Sequence, residues 1–276
     1  MAERAGLENQ YDRKVIVGSN PTLSAQMNNL FFSIIIPSYN EEKNLPILLN
    51  SISRQTIKDF ETIVVDSQSQ DDTKNQTSKF TTLIPNFQFI EKKMKNVSAA
   101  RNYGASLAEG KFLIFFDADV EIEKIFLEEI KKNIEKYNLD SLTVWNRAKD
   151  KKTKGFWILS IMNIGLSILQ GIKPLANGPC MIMKKELFDK VSGFDDEIVF
   201  GEDYDIMKRI GKLGIKFKVF SNPVVYVSTR RFDKEGFILS FYKSIKAFLY
   251  QIFIGPIKKP IFEYKMGGQE FSKKIK

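Results

Sequence analysis

Histidine is absent from the chain, and cysteine occurs once, at Cys180. The first absence excludes His-dependent triads and every zinc site with an imidazole ligand. The second excludes an intramolecular disulfide. Any metal must therefore be held mainly by carboxylates and ligand oxygens, which favours Mg²⁺ or Mn²⁺. No uninterrupted apolar run reaches the eighteen or so residues of a membrane span. No basic start followed by an apolar core marks an export signal, so a cytoplasmic protein is expected. Pro37 to Glu42, the loop after the first strand-like run, contains no glycine, which argues against a glycine-rich phosphate loop there.

What is present describes a folded α/β protein. At 276 residues the chain is long enough for one large domain with a sizeable core and an appendage. Its net charge of +9 suits an acidic partner: an anionic membrane surface, nucleic acid or a phosphorylated substrate. Residues 1–29 show neither helical nor strand periodicity, and Glu3, Glu8 and Asp12 offset Arg4, Arg13 and Lys14. With Met27 just before the first strand-like run, this stretch is expected to be a disordered tail or a gene-start artefact.

Folded pattern begins at Phe31 to Ile36, a β-rich run stopped by Pro37. A helix is predicted over Glu42 to Gln55, where Leu45, Leu48, Leu49 and Ile52 recur at helical spacing. Strands follow at Phe60 to Val65 and Phe87 to Glu91, then a helix at Ser98 to Ala108 and a strand at Lys111 to Phe116. This β-α-β-α-β-α-β order implies parallel strands with right-handed crossovers. Polar residues gather after the first, second and fourth strands, on one edge, where open α/β sheets bind ligands.

The fourth strand delivers Asp117 and Asp119 to that edge. Two acids one residue apart can share a hard divalent cation through oxygen. They equally suit a strand end that caps a helix, predicted here at Glu121 to Tyr137. Beyond it lie a strand at Ser141 to Asn146, a basic loop at Lys149 to Lys154, and an apolar stretch from Gly155 to Leu169. That stretch is interrupted by Ser160, Asn163 and Ser167 and reads as a buried or interfacial helix. A turn at Asn177-Gly178-Pro179 precedes apolar Cys180 to Met183. Helices are predicted near Lys185 to Val191 and from Gly201 to Leu213, then strands at Lys216 to Phe220 and Val224 to Val227.

Five stretches, Pro37-Ser38-Tyr39-Asn40-Glu41-Glu42, Val65-Asp66 through Thr73, Ala99-Ala100-Arg101-Asn102, Asp117-Ala118-Asp119 and Gly201-Glu202-Asp203, resemble the ordered motifs of family 2 glycosyltransferases. The resemblance covers about Phe32 to Phe232. It implies an α/β GT-A fold, a mixed Rossmann-like nucleotide-binding sheet flanked by helices. The catalytic domain would occupy residues 30–235, with a C-terminal helical extension over 236–276.

The resemblance also implies roles. A nucleotide-diphosphate sugar, expected to be UDP-linked, would contact Pro37, Tyr39, Glu41, Asp66, Ser69, Arg101, Asp117 and Ala118, with Asp66 accepting from the base. Asp119, with Asp117, would hold Mn²⁺ or Mg²⁺ against the diphosphate. Asn177, Gly178, Pro179 and Glu202 would face the acceptor, and Asp203 would be the general base of an inverting transfer. The acceptor would be a glycan or a polyprenyl or lipid-linked species of cell-envelope assembly.

Three features depart from the family pattern. The Asp-Asp-Gly-Ser form of the nucleotide loop is here Asp66-Ser67-Gln68-Ser69, which leaves the base open. Ser228 stands roughly where many relatives carry a metal-binding histidine. The Gln-x-x-Arg-Trp sequence of processive synthases is absent, so one sugar per encounter is expected. Arg230 and Arg231 read either as a diphosphate clamp or as two surface arginines in a turn. The segment from Phe237 to Ile254, aromatic with interleaved lysines, reads equally as a core-packing helix or as one lying on the cytoplasmic face of an anionic membrane. Two other readings remain: a sugar-1-phosphate nucleotidyltransferase, and a basic module binding nucleic acid or membrane. Against the module, the basic residues are scattered and the acids cluster at strand ends, where they would repel phosphates unless a cation intervened, so no nucleic-acid partner is expected.

Overall fold

A computed structural model describes residues 30–148, 154–171, 174–228 and 237–261. Residues 1–29, and with them the expected tail, lie outside the described residues, as do Arg230 and Arg231. Eight strands form one sheet: β1 (Phe32–Ser38), β2 (Phe60–Asp66), β3 (Phe87–Glu91), β4 (Phe112–Phe116), β5 (Val120–Ile122), β6 (Ser141–Ala148), β7 (Cys180–Lys184) and β8 (Phe217–Val227). Their spatial order is β3-β2-β1-β4-β7-β6-β8-β5.

The first four strands are parallel, and β2 is buried along its whole length, which is why it reads as a nearly continuous apolar run. Pro37 does not stop β1. Pairing with β4 ends at Ile35, so past that point the missing proline N–H forfeits no bond on that side. β7 then enters antiparallel between β4 and β6 and makes the sheet mixed. β6 and β8 run parallel to each other, and reversal twice through β7 restores them to the direction of β1 and β4. The carboxyl ends of β1, β2, β4, β6 and β8 therefore share one edge. Because β7 is reversed, it begins at that edge, which brings the turn at residues 177–179 to the end of β4.

Helices α1 (Leu45–Ser53), α2 (Thr73–Thr77), α3 (Phe80–Leu83), α4 (Val97–Leu107), α5 (Phe126–Tyr137), α6 (Lys154–Leu169), α7 (Lys185–Lys190), α8 (Glu202–Gly211) and α9 (Phe237–Phe253) complete the described chain. Alternation along the strands divides the core. Phe32, Ile34, Ile36, Ile114 and Phe116 pack with α1 and α5 on one face. Ile35, Leu113, Phe115 and Met181 pack with α4, α7 and α8 on the other.

Two further sequence expectations change. The helix predicted from Glu121 starts at Phe126, because Val120 to Ile122 form a short strand against Val225 to Val227. The separate strands at Lys216 to Phe220 and Val224 to Val227 are one strand, β8, whose register against β6 shifts between Val144 and Trp145.

Candidate active site

The loops after β1 and β2 are tied to one another at the carboxyl edge. The Asn40 N–H donates to Ser69 Oγ at 2.8 Å, the Gln70 N–H to Asn40 Oδ1 at 2.9 Å, and the Glu41 N–H to Thr73 Oγ1 at 3.0 Å. Asp66, at the end of β2, is buried. Its two oxygens accept from Ser69, one from the N–H at 2.8 Å and the other from the hydroxyl at 2.6 Å. Burial pushes its proton affinity above that of an ordinary carboxylate, and the Ser69 bonds oppose the shift. Gln68 has φ +59, so the loop keeps a left-handed residue where the Asp-Asp-Gly-Ser pattern has glycine. Tyr39 is exposed on the adjoining loop, and Glu41 accepts from Asn44 Nδ2 at 2.6 Å.

A second group of side chains meets beside β4. Arg101 of α4 is 2% exposed; its Nη2 donates to Asp117 Oδ1 at 2.7 Å and its Nη1 to Glu202 Oε1 at 2.8 Å. Its guanidinium also lies 5.4 Å from the Phe194 ring centroid. The Asp117 N–H donates to Pro179 O at 3.3 Å, which ties the acidic strand end to the turn at residues 177–179. Asn177 is buried and donates from Nδ2 to Val144 O at 3.0 Å, so its side chain holds the turn against β6. Gly178 lies against the next acid: a β-carbon there would stand 3.0 Å from Asp203 Oδ2.

Electrostatics follow from this crowding. Asp117 is pushed up to about 6, first by burial, with Arg101 lowering and Asp119 and Glu202 raising it. Asp203 is pushed up to about 7, by burial and then by the Glu202 charge, against the Tyr204 N–H that donates to its Oδ1 at 2.8 Å. Glu202 and Asp203 open α8 behind Gly201, whose φ of +77 suits glycine. Asp205 instead pairs with Arg209 at 2.8 Å, and Arg209 in turn donates to the Val191 and Gly193 carbonyls.

Asp119 follows buried Ala118 and precedes Val120, which pairs with Val227, so Ser228 comes to the same corner of the edge. Among the described residues no three His, Cys, Asp or Glu side chains converge as a ready ligand cage. Asp117 and Asp119 nevertheless stand close enough for the charge of the second to raise the proton affinity of the first, and such a pair fits a hard cation completed by substrate oxygens.

Two supporting residues emerge with the structure: Asn102, whose stretch the sequence marked without its partner, and Gln251, which no sequence pattern marked. Asn102 exchanges two bonds with the Phe194 backbone, at 2.8 and 2.9 Å, and so clamps the segment before α8 to α4. Gln251 of α9 donates to the carbonyls of Phe200 at 3.0 Å and Gly201 at 3.3 Å, immediately before Glu202. Gln251 has no local spacing to mark it, and the stretch that contains Asn102 gives no sign of its partner at Phe194.

The family model described as Glycosyl transferase family 2 matches residues 33–192 of the chain. The amylovoran biosynthesis glycosyltransferase AmsB of Erwinia amylovora is 26% identical over 234 residues, covering 76% of this chain and 73% of that protein. The poly(ribitol-phosphate) beta-N-acetylglucosaminyltransferase TarS of Staphylococcus aureus is 33% identical over 204 residues, covering 72% of this chain but only 36% of TarS. A crystal structure of TarS in complex with UDP superposes with a TM-score of 0.57 at 25% identity, over 73% of this chain and 62% of that one. The mannosyltransferase PcManGT of Pyrobaculum calidifontis, in complex with GDP-Man and Mn²⁺, superposes with a TM-score of 0.61. At 20% identity, over 78% of this chain and 64% of that one, it speaks for the fold alone.

Proposed function

The chain belongs to glycosyltransferase family 2, and from that premise we propose that it moves one sugar, with inversion, from a UDP-linked donor to a hydroxyl of a glycan or lipid-linked acceptor. The observation that carries this reading is the convergence on one sheet edge of Asp66, Asp117 and Asp203, each a carboxylate whose burial raises its proton affinity. Acids whose proton affinity is raised by desolvation, one of them buried and two partly exposed, gather at this edge as chemistry requires and solubility does not.

On this reading the loops after β1 and β2 take the nucleoside. Each Asp66 oxygen accepts one bond from Ser69, and on this reading the same carboxylate would accept the N–H of a uracil. TarS, at 25% identity, is a neighbour crystallised with UDP, which favours uridine over other bases. Asp119 and Asp117 would hold Mn²⁺ or Mg²⁺; such an ion supplies Lewis-acid stabilisation of charge on the departing diphosphate. Arg101 keeps Asp117 and Glu202 a fixed distance apart and balances their charge. Arg230 and Arg231, beyond β8, would add guanidinium contacts to the diphosphate.

Asp203 then serves as base. As the acceptor oxygen bonds to the anomeric carbon and the bond to the diphosphate breaks, the hydroxyl proton passes to the Asp203 carboxylate. A value raised to about 7 suits this role, since the group is both substantially ionised and basic near neutrality. Asn177, Gly178, Pro179 and Glu202 form the wall at which the acceptor hydroxyl would arrive.

A panel of UDP-, GDP- and dTDP-sugars, incubated with Mn²⁺ or Mg²⁺ and in parallel with EDTA, tests the reading. Metal-dependent release of UDP, lost in Asp119→Ala, is the expected result. Release of no nucleoside diphosphate with either ion, or release indifferent to EDTA and to Asp119→Ala, would overturn it.

A further inference from the structure

α6 is apolar on both sides, but among the described residues only one side is used by the fold. Ile158, Leu159 and Asn163 are buried, and Asn163 bridges the backbone N–H and C=O of Asn146. On the other side Trp157, Ile161, Ile164 and Ile168 are 67, 66, 52 and 71% exposed. Their spacing of four, three and four residues makes one continuous stripe along a 16-residue helix, a length of about 24 Å. A stripe of large apolar side chains held in water is costly and marks a contact surface.

We propose that this face of α6 docks on an anionic membrane surface. Charge chooses the occupant. α6 contains no acidic residue, and the sequence places Lys149, Lys151, Lys152 and Lys154 around its start, with one acid, Asp150, among them, and Lys173 after its end. Lysines at both ends of an apolar stripe attract anionic headgroups while the stripe enters the acyl boundary. The same lysines would repel a second copy of this face. Trp157 sits at the lysine-rich end, where an indole ring prefers the headgroup level. No described helix is long and apolar enough to cross a membrane.

The opposite face of the same helix supplies Phe156, Ser160 and Asn163 to the wall of a cavity of about 430 Å³. Trp145, Arg147, Ala148 and Tyr226 line the rest of it, at the carboxyl ends of β6 and β8, on the edge that holds the acids. A protein lying on lipid through α6 would bring this edge within reach of a head group anchored in the same bilayer. That consequence rests on the transfer reading above and selects a lipid-linked acceptor; the docking itself stands apart from it.

The test is flotation of the full chain with phosphatidylcholine vesicles, with and without phosphatidylglycerol, read beside quenching of tryptophan emission by brominated lipid. Only two tryptophans are present, Trp145 and Trp157, so comparison with Trp157→Phe isolates the reporter on α6. The expected result is flotation with anionic vesicles only, quenching that disappears in Trp157→Phe, and at least about a tenfold loss of binding in Ile161→Lys/Ile164→Lys. Both isoleucines face solvent, so the double variant should keep its circular dichroism and its donor turnover. Three results would overturn the proposal: no flotation with anionic lipid, flotation unchanged in the double variant, or concentration-dependent self-association of the wild type that the double variant abolishes. Donor turnover lost in every form of the protein would instead defeat the transfer reading and leave the docking result standing.

Discussion

Arg101 Nη2 lies 2.7 Å from Asp117 Oδ1, and the same guanidinium reaches Glu202 with its other terminal nitrogen. One buried cation thus joins the strand end that carries Asp117 and Asp119 to the helix that opens with Glu202 and Asp203. Arg101→Met should cost about 3 kcal/mol in denaturant unfolding, the low end for a broken buried pair because Asp117 is 35% exposed. Arg101→Lys should recover part of the stability but little activity, since a single ammonium cannot span both carboxylates with a planar fork. Equal activity for the lysine variant would show that charge alone, without that geometry, is sufficient.

Gly178 packs closely against Asp203, so a side chain there would press on its carboxylate. A methyl group at Gly178 would stand 3.0 Å from Asp203 Oδ2, so the carboxylate must move by a few tenths of an ångström. Gly178→Ala is expected to lower sugar transfer by about 10- to 100-fold, the usual penalty for displacing a reacting group, while stability changes little. Steady-state transfer and thermal melting of the same preparation check this; a full loss of folding would instead make the glycine a purely structural requirement.

The raised proton affinity of Asp203 has a definite sign. Its folded value of about 7 lies above the roughly 3.9 of an unfolded aspartate. Its contribution to stability is therefore complete below about pH 4 and is lost as pH rises through about 7. Asp203→Asn removes that loss, so the variant should be more stable than wild type at about pH 8, with the gap closing toward about pH 4. Wild-type kcat/KM should fall about tenfold per pH unit below about 7, because only the ionised carboxylate accepts the proton. A stability gap that widened on acidification would contradict the assignment.

Gln68 occupies the left-handed region with φ +59. A side chain there costs about 1 to 2 kcal/mol, and glycine returns about 0.5 to 1 kcal/mol of that through its freer unfolded chain. Gln68→Gly should therefore gain about 0.5 kcal/mol, measurable as a shift of the urea midpoint to higher concentration; a shift to lower concentration would contradict this.

Much of this arrangement is legible in the sequence, for physical reasons that differ by residue. Parallel strands such as β2 and β4 are buried on both faces, so their apolar runs stand out, and the acids Asp66 and Asp117 follow them directly. The reversal of β7 is not legible, because Cys180 to Lys184 would be as apolar in either direction; only its neighbours decide. Val120 to Ile122 carry a helix-like charge pattern into Glu128 and Glu129, and the pairing with β8 that makes them a strand is made more than a hundred residues later. Arg101 reads locally as one more helical arginine, and its burial between Asp117 and Glu202 depends on where α8 begins. The exposure of Trp157 and Ile161 is equally a tertiary fact: the stretch is apolar throughout, and only the packing of Asn163 against β6 determines which side faces outward.

Donor binding and proton transfer separate in one experiment: calorimetric titration of UDP with and without Mn²⁺, on wild type, Asp119→Ala and Asp203→Asn, beside sugar transfer by the same preparations. Wild type should bind UDP in a cation-dependent manner, Asp119→Ala should lose that binding, and Asp203→Asn should keep it without transferring sugar. UDP binding that ignored both the cation and Asp119→Ala, or full transfer activity in Asp203→Asn, would contradict the roles assigned to the two acids.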